Sequence, residues 1–156
     1  MKNQIRLANG ETYAYLEKGH GNRVLLLVHG NLSSSEYFAP LIDRIPDGIR
    51  VLAPDLRGYG DSSFFTPFPS LKELAVDLSL FLQALGVMQA DVCGWSLGGG
   101  VAMEFAAAYP EKTRRLALID ATTHRGYPIF KKDAAMKPLW GQAYASPRGW
   151  PPIPFR

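Results

Sequence analysis

Cysteine is nearly missing from this chain: Cys93 stands alone among 156 residues. A single thiol excludes an internal disulfide and points to a reducing compartment. It falls inside a predicted apolar strand, where an inert core thiol is expected rather than a reactive one. No apolar run approaches the ~20 residues that a membrane-spanning helix needs. The first residues, Met1-Lys2-Asn3-Gln4-Ile5-Arg6, hold no apolar signal core, so a cytoplasmic location is the expectation. Charge of one sign is not in excess, because 17 Lys and Arg against 14 Asp and Glu leave a net +3. The basic residues are scattered, with short pairs at Arg114-Arg115 and Lys131-Lys132, which argues against a nucleic-acid partner. No internal repeat is visible, and no G-x-G-x-x-G or P-loop pattern follows an early strand, so a nucleotide-binding reading fails. Histidine is scarce too, at positions 20, 29 and 124 only. No cofactor and no metal site is expected.

What is present is an ordinary globular composition, 47% hydrophobic and 20% charged, in a chain long enough for one domain with a real core. Gln4 to Leu7 and Thr12 to Glu17 flank Asn9-Gly10 and predict a hairpin. Val24 to Val28 is continuously apolar, as in a parallel strand buried on both faces. A helix is expected from Ser33 to Ile45, with Ser33, Ser34 or Ser35 as its N-cap. Arg50 to Asp55 reads as the next strand. Ser70 followed by Glu73 is a capping box; Leu71, Leu74, Leu78, Phe81, Leu82 and Leu85 then give an apolar helical face that Gly86 ends. Ala90 to Cys93 and Leu116 to Ile119 are two more strands, with a helix between them that stops at Pro110. Strands alternating with helices predict a mostly parallel α/β sheet with helices on both faces. Beyond Asp120 the pattern weakens. Phe130 to Trp140 is expected to form a helix broken by Pro138, and the four prolines of residues 146–156 predict an irregular tail.

The most informative segment is Gly94-Trp95-Ser96-Leu97-Gly98. A serine between two glycines on a strand-to-helix turn is the pattern of a nucleophile elbow; the alternative is a glycine-rich packing turn. The elbow strains the serine backbone and exposes its Oγ near the positive end of the following helix. Acyl transfer also needs donors aimed at the developing oxyanion. The N–H of Leu97 is one candidate, and the N–H of Asn31, in the loop after His29-Gly30, is the other. His29 itself is expected to brace that loop rather than act as a base. Asp55, Arg57 and Asp61 are expected to tie their own loop together. His20 reads as an exposed turn residue. His124 and Asp120 are weak candidates for a base and an orienting acid; a solvated histidine and a turn-capping aspartate are the plainer readings.

Three motifs in the same order resemble the α/β-hydrolase superfamily over residues 12 to about 130: His29-Gly30-Asn31, Asp55-Leu56-Arg57-Gly58-Tyr59-Gly60-Asp61-Ser62, and Gly94-Trp95-Ser96-Leu97-Gly98-Gly99. Residues 94–103, with Arg125-Gly126-Tyr127-Pro128 downstream, are similar to bacterial intracellular short-chain polyhydroxyalkanoate depolymerases, which are serine esterases. The resemblance implies an α/β-hydrolase fold and a carboxylic-ester hydrolase with Ser96 as nucleophile and the N–H groups of Asn31 and Leu97 as its oxyanion hole. Cofactor-free haloperoxidases and C–C bond hydrolases share the serine elbow and stay open. In superfamily members an acid and then a histidine follow the serine, whereas here nothing past His124 supplies a histidine. Residues 1–121 are therefore expected to be the N-terminal part of the hydrolase core, truncated after the sixth strand, and residues 122–156 the start of a lid and an irregular tail. Such a chain is expected to be inactive or very weak alone. The remaining alternative is a non-catalytic binding or assembly fragment. The expected partners are an ester substrate, and either a second copy or the missing C-terminal half.

Overall fold

A computed structural model describes residues 2–124 and Ala134, and the backbone of residues 130–132 and 138–143. The chain divides into two compact units, Met1–Gly126 and Tyr127–Arg156. The first opens with the hairpin of β1 (Asn3–Arg6) and β2 (Thr12–Lys18). Gly10, at φ +90°, makes the turn that Asn9-Gly10 predicts. Then follow β3 (Arg23–Val28), a 3₁₀ turn (Ser35–Phe38), α1 (Ala39–Ile42), β4 (Ile49–Pro54), α2 (Leu71–Ala84), β5 (Ala90–Trp95), α3 (Leu97–Ala108) and β6 (Thr113–Ile119). The six strands form one sheet in the order β1-β2-β4-β3-β5-β6. The two hairpin strands are antiparallel and the other four run parallel.

The continuous apolar strands arise from burial on both faces. Leu26 and Val28 of β3 face α2 and α3, joining Leu74, Phe81, Val101 and Phe105 in the larger core. Leu27, between them, turns to the other face and packs with Phe38, Ile42, Val51 and Cys93. Helices thus cover both faces, as the alternation predicts. Phe81 and Phe105 are completely buried, each stabilising the fold by about 1.5–3 kcal/mol. α2 starts on the predicted capping box, with Ser70 Oγ accepting from the Lys72 N–H and Glu73 accepting from the Ser70 N–H. Gly86, at φ +67°, follows its last turn.

Two predicted helices are corrected. Residues 33–45 do not form one helix but a 3₁₀ turn and a single α-turn. Pro40 has no N–H, so the α-helical bond to the Glu36 carbonyl is unavailable. The Ala39 N–H takes that carbonyl instead, closing the tighter turn. Residues 130–132 and 138–140 are not helical either: β7 (Phe130–Lys132) pairs antiparallel with β8 (Pro138–Ala143). Pro138 ends the helical option and is tolerated as the first residue of a strand. The predicted irregular tail, residues 146–156, lies outside the described residues.

Candidate active site

β5 runs directly into α3 through Ser96, which sits at φ +54°, ψ −120°. For a residue with a Cβ this conformation costs on the order of 1–3 kcal/mol. The surroundings hold it. The Ser96 N–H donates to the Ile119 carbonyl at 3.0 Å, and the Ser96 carbonyl accepts from the N–H of Gly99 (3.0 Å) and of Thr122 (2.9 Å). The flanking glycines are there for close approach. A Cβ on Gly94 would run into the Gly98 backbone, and one on Gly98 would fall on the Val28 and His29 carbonyls. Gly30 brings the β3 loop alongside, because its missing Cβ would lie 3.1 Å from Ser96 Cβ. Ser96 is half-buried, and its Oγ makes no hydrogen bond to a described residue.

The loop after β3 is braced as expected. His29 is fully buried; its Nδ1 lies 2.8 Å from the Gly30 carbonyl and its Nε2 accepts from the Leu56 N–H at 2.9 Å. That pattern puts the proton on Nδ1 and keeps the ring neutral. Burial holds the pKa below the usual histidine value, against the Gly30 carbonyl and Asp55, which favour the cation. Among the described residues neither the Asn31 N–H nor the Leu97 N–H donates a backbone hydrogen bond. Leu97 opens α3, where the first N–H groups have no intrahelical partner. The Asn31 side chain accepts at Oδ1 from the Tyr59 hydroxyl at 2.7 Å.

The loop after β4 is tied together as expected. Asp55 does tie its loop, accepting from the Asp61 N–H at 2.9 Å. It also receives Lys2 Nζ at 2.8 Å and the Ser35 N–H at 2.7 Å. Burial opposes its ionisation, but Lys2 and these N–H groups outweigh that and hold the carboxyl below its usual range. Arg57 ties the loop too, with Nη1 donating to the Thr66 carbonyl at 3.0 Å, and in addition forks onto Asp77 of α2, with Nε 2.7 Å from Oδ2. Asp77 also accepts from Tyr13 (3.0 Å) and Asn9 (2.7 Å). Glu11, also buried, accepts from Ser63 Oγ and from the N–H groups of Phe65 and Thr66.

The other candidates stand apart. His20 is exposed just before β3, at the opposite end of the parallel strands from Ser96. Asp120 is exposed at φ +44°, and His124 is exposed. His124 borders a cleft of about 920 Å³ with Phe68, Leu71, Lys72, Met103 and Glu104, which Ser96 does not line. Among the described residues no group of His, Cys, Asp or Glu is placed to hold a metal ion. No described helix is long and apolar enough to cross a membrane.

A mostly parallel sheet with a strand that enters a helix through a strained serine is the architecture of the α/β-hydrolase class. The chain belongs to the alpha/beta hydrolase fold family, whose profile matches residues 23–149. It is 32% identical over 116 residues to a dihydrolipoyllysine-residue acetyltransferase component of the acetoin cleaving system of Cupriavidus necator, covering 74% of this chain and 31% of that one. It is 39% identical over 92 residues to a pimeloyl-[acyl-carrier protein] methyl ester esterase of Neisseria meningitidis serogroup B, covering 59% and 34%. Among solved structures, the N-acyl homoserine lactonase AidH, complexed with N-butanoyl homoserine, superposes with a TM-score of 0.71 at 35% identity, covering 78% of this chain and 45% of that one. The chain spans about a third of the length of the curated relatives it matches.

Proposed function

We propose that residues 1–121 carry the nucleophile and the oxyanion donors of a serine hydrolase acting on carboxylic esters. In this reading Ser96 Oγ attacks the acyl carbon, and the N–H groups of Asn31 and Leu97 receive the negative charge that develops on the carbonyl oxygen. The observation that carries it is the strained, half-buried Ser96 at the N-terminus of α3, beside the Gly30-Asn31 loop. A packing turn has no need of a left-handed serine where glycine would rest without strain.

A serine hydroxyl is weakly nucleophilic until a base takes its proton. His29 has both nitrogens engaged, His20 is at the far end of the strands, and His124 is exposed on a cleft that Ser96 does not line. The base is therefore assigned outside residues 2–124. Removing triad members leaves catalysis lower by a factor on the order of 10⁴–10⁶, so the 156-residue chain is expected to hydrolyse 4-nitrophenyl butyrate at close to the background rate. Robust turnover abolished by Ser96→Ala and by His124→Ala would place the base at His124 and overturn that assignment.

Among esters, short 3-hydroxyalkanoate esters are the proposed class. Residues 94–103 support it, and so does the likeness to a lactonase seen with a butanoyl ligand. Faster cleavage of a hydroxybutyrate oligoester than of a long-chain triacylglycerol, by the protein expressed from its full reading frame, is the expected result; the reverse order would remove this finer reading. The second reading, a non-catalytic assembly fragment, draws support from the exposed outer edge of β6.

A further inference from the structure

In the segment Gly30-Asn31-Leu32, Gly30 is buried but the two residues after it have little to hold their shape. Leu32 sits at φ +50°, a strained setting for a side chain with a Cβ, and is 80% exposed, so packing does not fix it. Asn31 is exposed as well. The anchors lie on either side: His29 on the Leu56 N–H, and the Ser35 N–H on Asp55. Between them two described bonds reach the segment: His29 Nδ1 on the Gly30 carbonyl at 2.8 Å, and the Tyr59 hydroxyl on Asn31 Oδ1 at 2.7 Å, which alone among the described residues holds the Asn31 side chain.

We propose that Tyr59 is a positioning residue of the oxyanion loop: its phenol pins the Asn31 side chain and so, together with His29 on the Gly30 carbonyl, fixes the peptide whose N–H faces the oxyanion. The proposal rests on the reading of Asn31 as an oxyanion donor. Tyr59 is suited to the task because it is itself immobile. Its N–H donates to the Leu56 carbonyl at 2.9 Å, and its carbonyl accepts from the Ser62 N–H at 3.1 Å. Its ring lies edge-on to His29, with centroids 5.4 Å apart. Next to it, Gly60 lies so close to the Asp55 carboxylate that a Cβ there would overlap it. The segments after β3 and β4 are thus cross-braced at His29–Leu56, at Asn31–Tyr59 and at Ser35–Asp55. Half-burial pushes the Tyr59 pKa up, so the phenol stays protonated and donates at neutral pH. A donor for an oxyanion works only within a few tenths of an ångström of its place, and a bond that locks the carrying residue bears on rate more than on substrate binding.

Tyr59→Phe keeps the ring and removes only the hydroxyl. In the protein expressed from its full reading frame, two readouts are taken: the kinetics on 4-nitrophenyl butyrate, and the backbone ¹⁵N order parameter of Asn31. The expected kinetic result is a kcat about five- to tenfold lower with KM unchanged. The order parameter of Asn31 is expected to fall from about 0.85 toward 0.6, while that of Leu97 and the melting temperature stay as in the parent. An unchanged Asn31 order parameter overturns the tether. An unchanged kcat, in a parent whose turnover depends on Ser96, overturns its part in the rate. A parent with no Ser96-dependent turnover, but with Asn31 loosened by Tyr59→Phe, counts against the hydrolase reading and supports the tether.

Discussion

At Ser96 the strain and its support come from different parts of the chain. The turn is written into the local pattern, because glycines at 94 and 98 are needed where backbone meets backbone. Gly98→Ala sets a methyl group against the Val28 and His29 carbonyls, which are rigid parts of β3. It is expected to destabilise the fold by about 2–4 kcal/mol, measured by urea unfolding; a change within error would mean that β3 and α3 can part at no cost. The role of His29 was legible for the same local reason, a histidine before glycine at a strand end. Its consequence for pH follows from burial. The folded ring resists protonation, whereas the unfolded one titrates near the ordinary value of about 6.5. The contribution of His29 is therefore complete above about 6.5 and is lost as pH falls from there toward the lower folded value. Unfolding free energy is expected to drop across that window and to lose that slope in His29→Gln; an equal slope in both would assign it elsewhere. The partners of Asp55 and Arg57 were not legible. Lys2 and Asp77 lie 53 and 20 residues away, and nothing in the spacing of an aspartate on the apolar side of α2 signals that an arginine will neutralise it.

Among the elements, those with strong local chemistry formed as read. The capping box starts α2, and Asn9-Gly10 closes the first hairpin. Where the sequence carried two competing signals the reading failed. The apolar spacing of residues 33–45 looks helical, but one missing N–H at Pro40 decides the outcome. Residues 130–140 hold aromatic residues that suit a strand as well as a helix. β6 combines a legible strand with an unusual exposure. Leu116, Leu118 and Ile119 are 39%, 45% and 47% exposed, and among the described residues β6 has no neighbour beyond β5. An apolar strand with an unpaired edge is a template for another chain. The 156-residue chain is therefore expected to self-associate at micromolar concentration in sedimentation experiments. Leu118→Lys, which puts a charge among the exposed apolar residues of β6, is expected to shift it toward monomer. A monodisperse monomer in the parent would show that the edge is already covered.

Over the whole molecule, the parallel strands gather three suggestive segments at one end of the sheet: Gly30-Asn31 after β3, residues 55–63 after β4, and Ser96 after β5. This follows from topology, since in an α/β sheet the carboxyl ends of the strands converge on one rim. The order of elements was enough to foresee it. The activating base was not foreseeable in the same way, because a base is recognised by its distance to the serine and not by a motif. The chemistry proposed for this rim turns on Ser96 as a nucleophile. The most direct test is phosphonylation by a fluorophosphonate of the protein expressed from its full reading frame, followed by intact mass and peptide mapping. One adduct on Ser96 is predicted, absent from a Ser96→Ala variant that melts as the parent does. A protein that takes no adduct, or takes it at another residue with Ser96→Ala labelled equally, would contradict the claim.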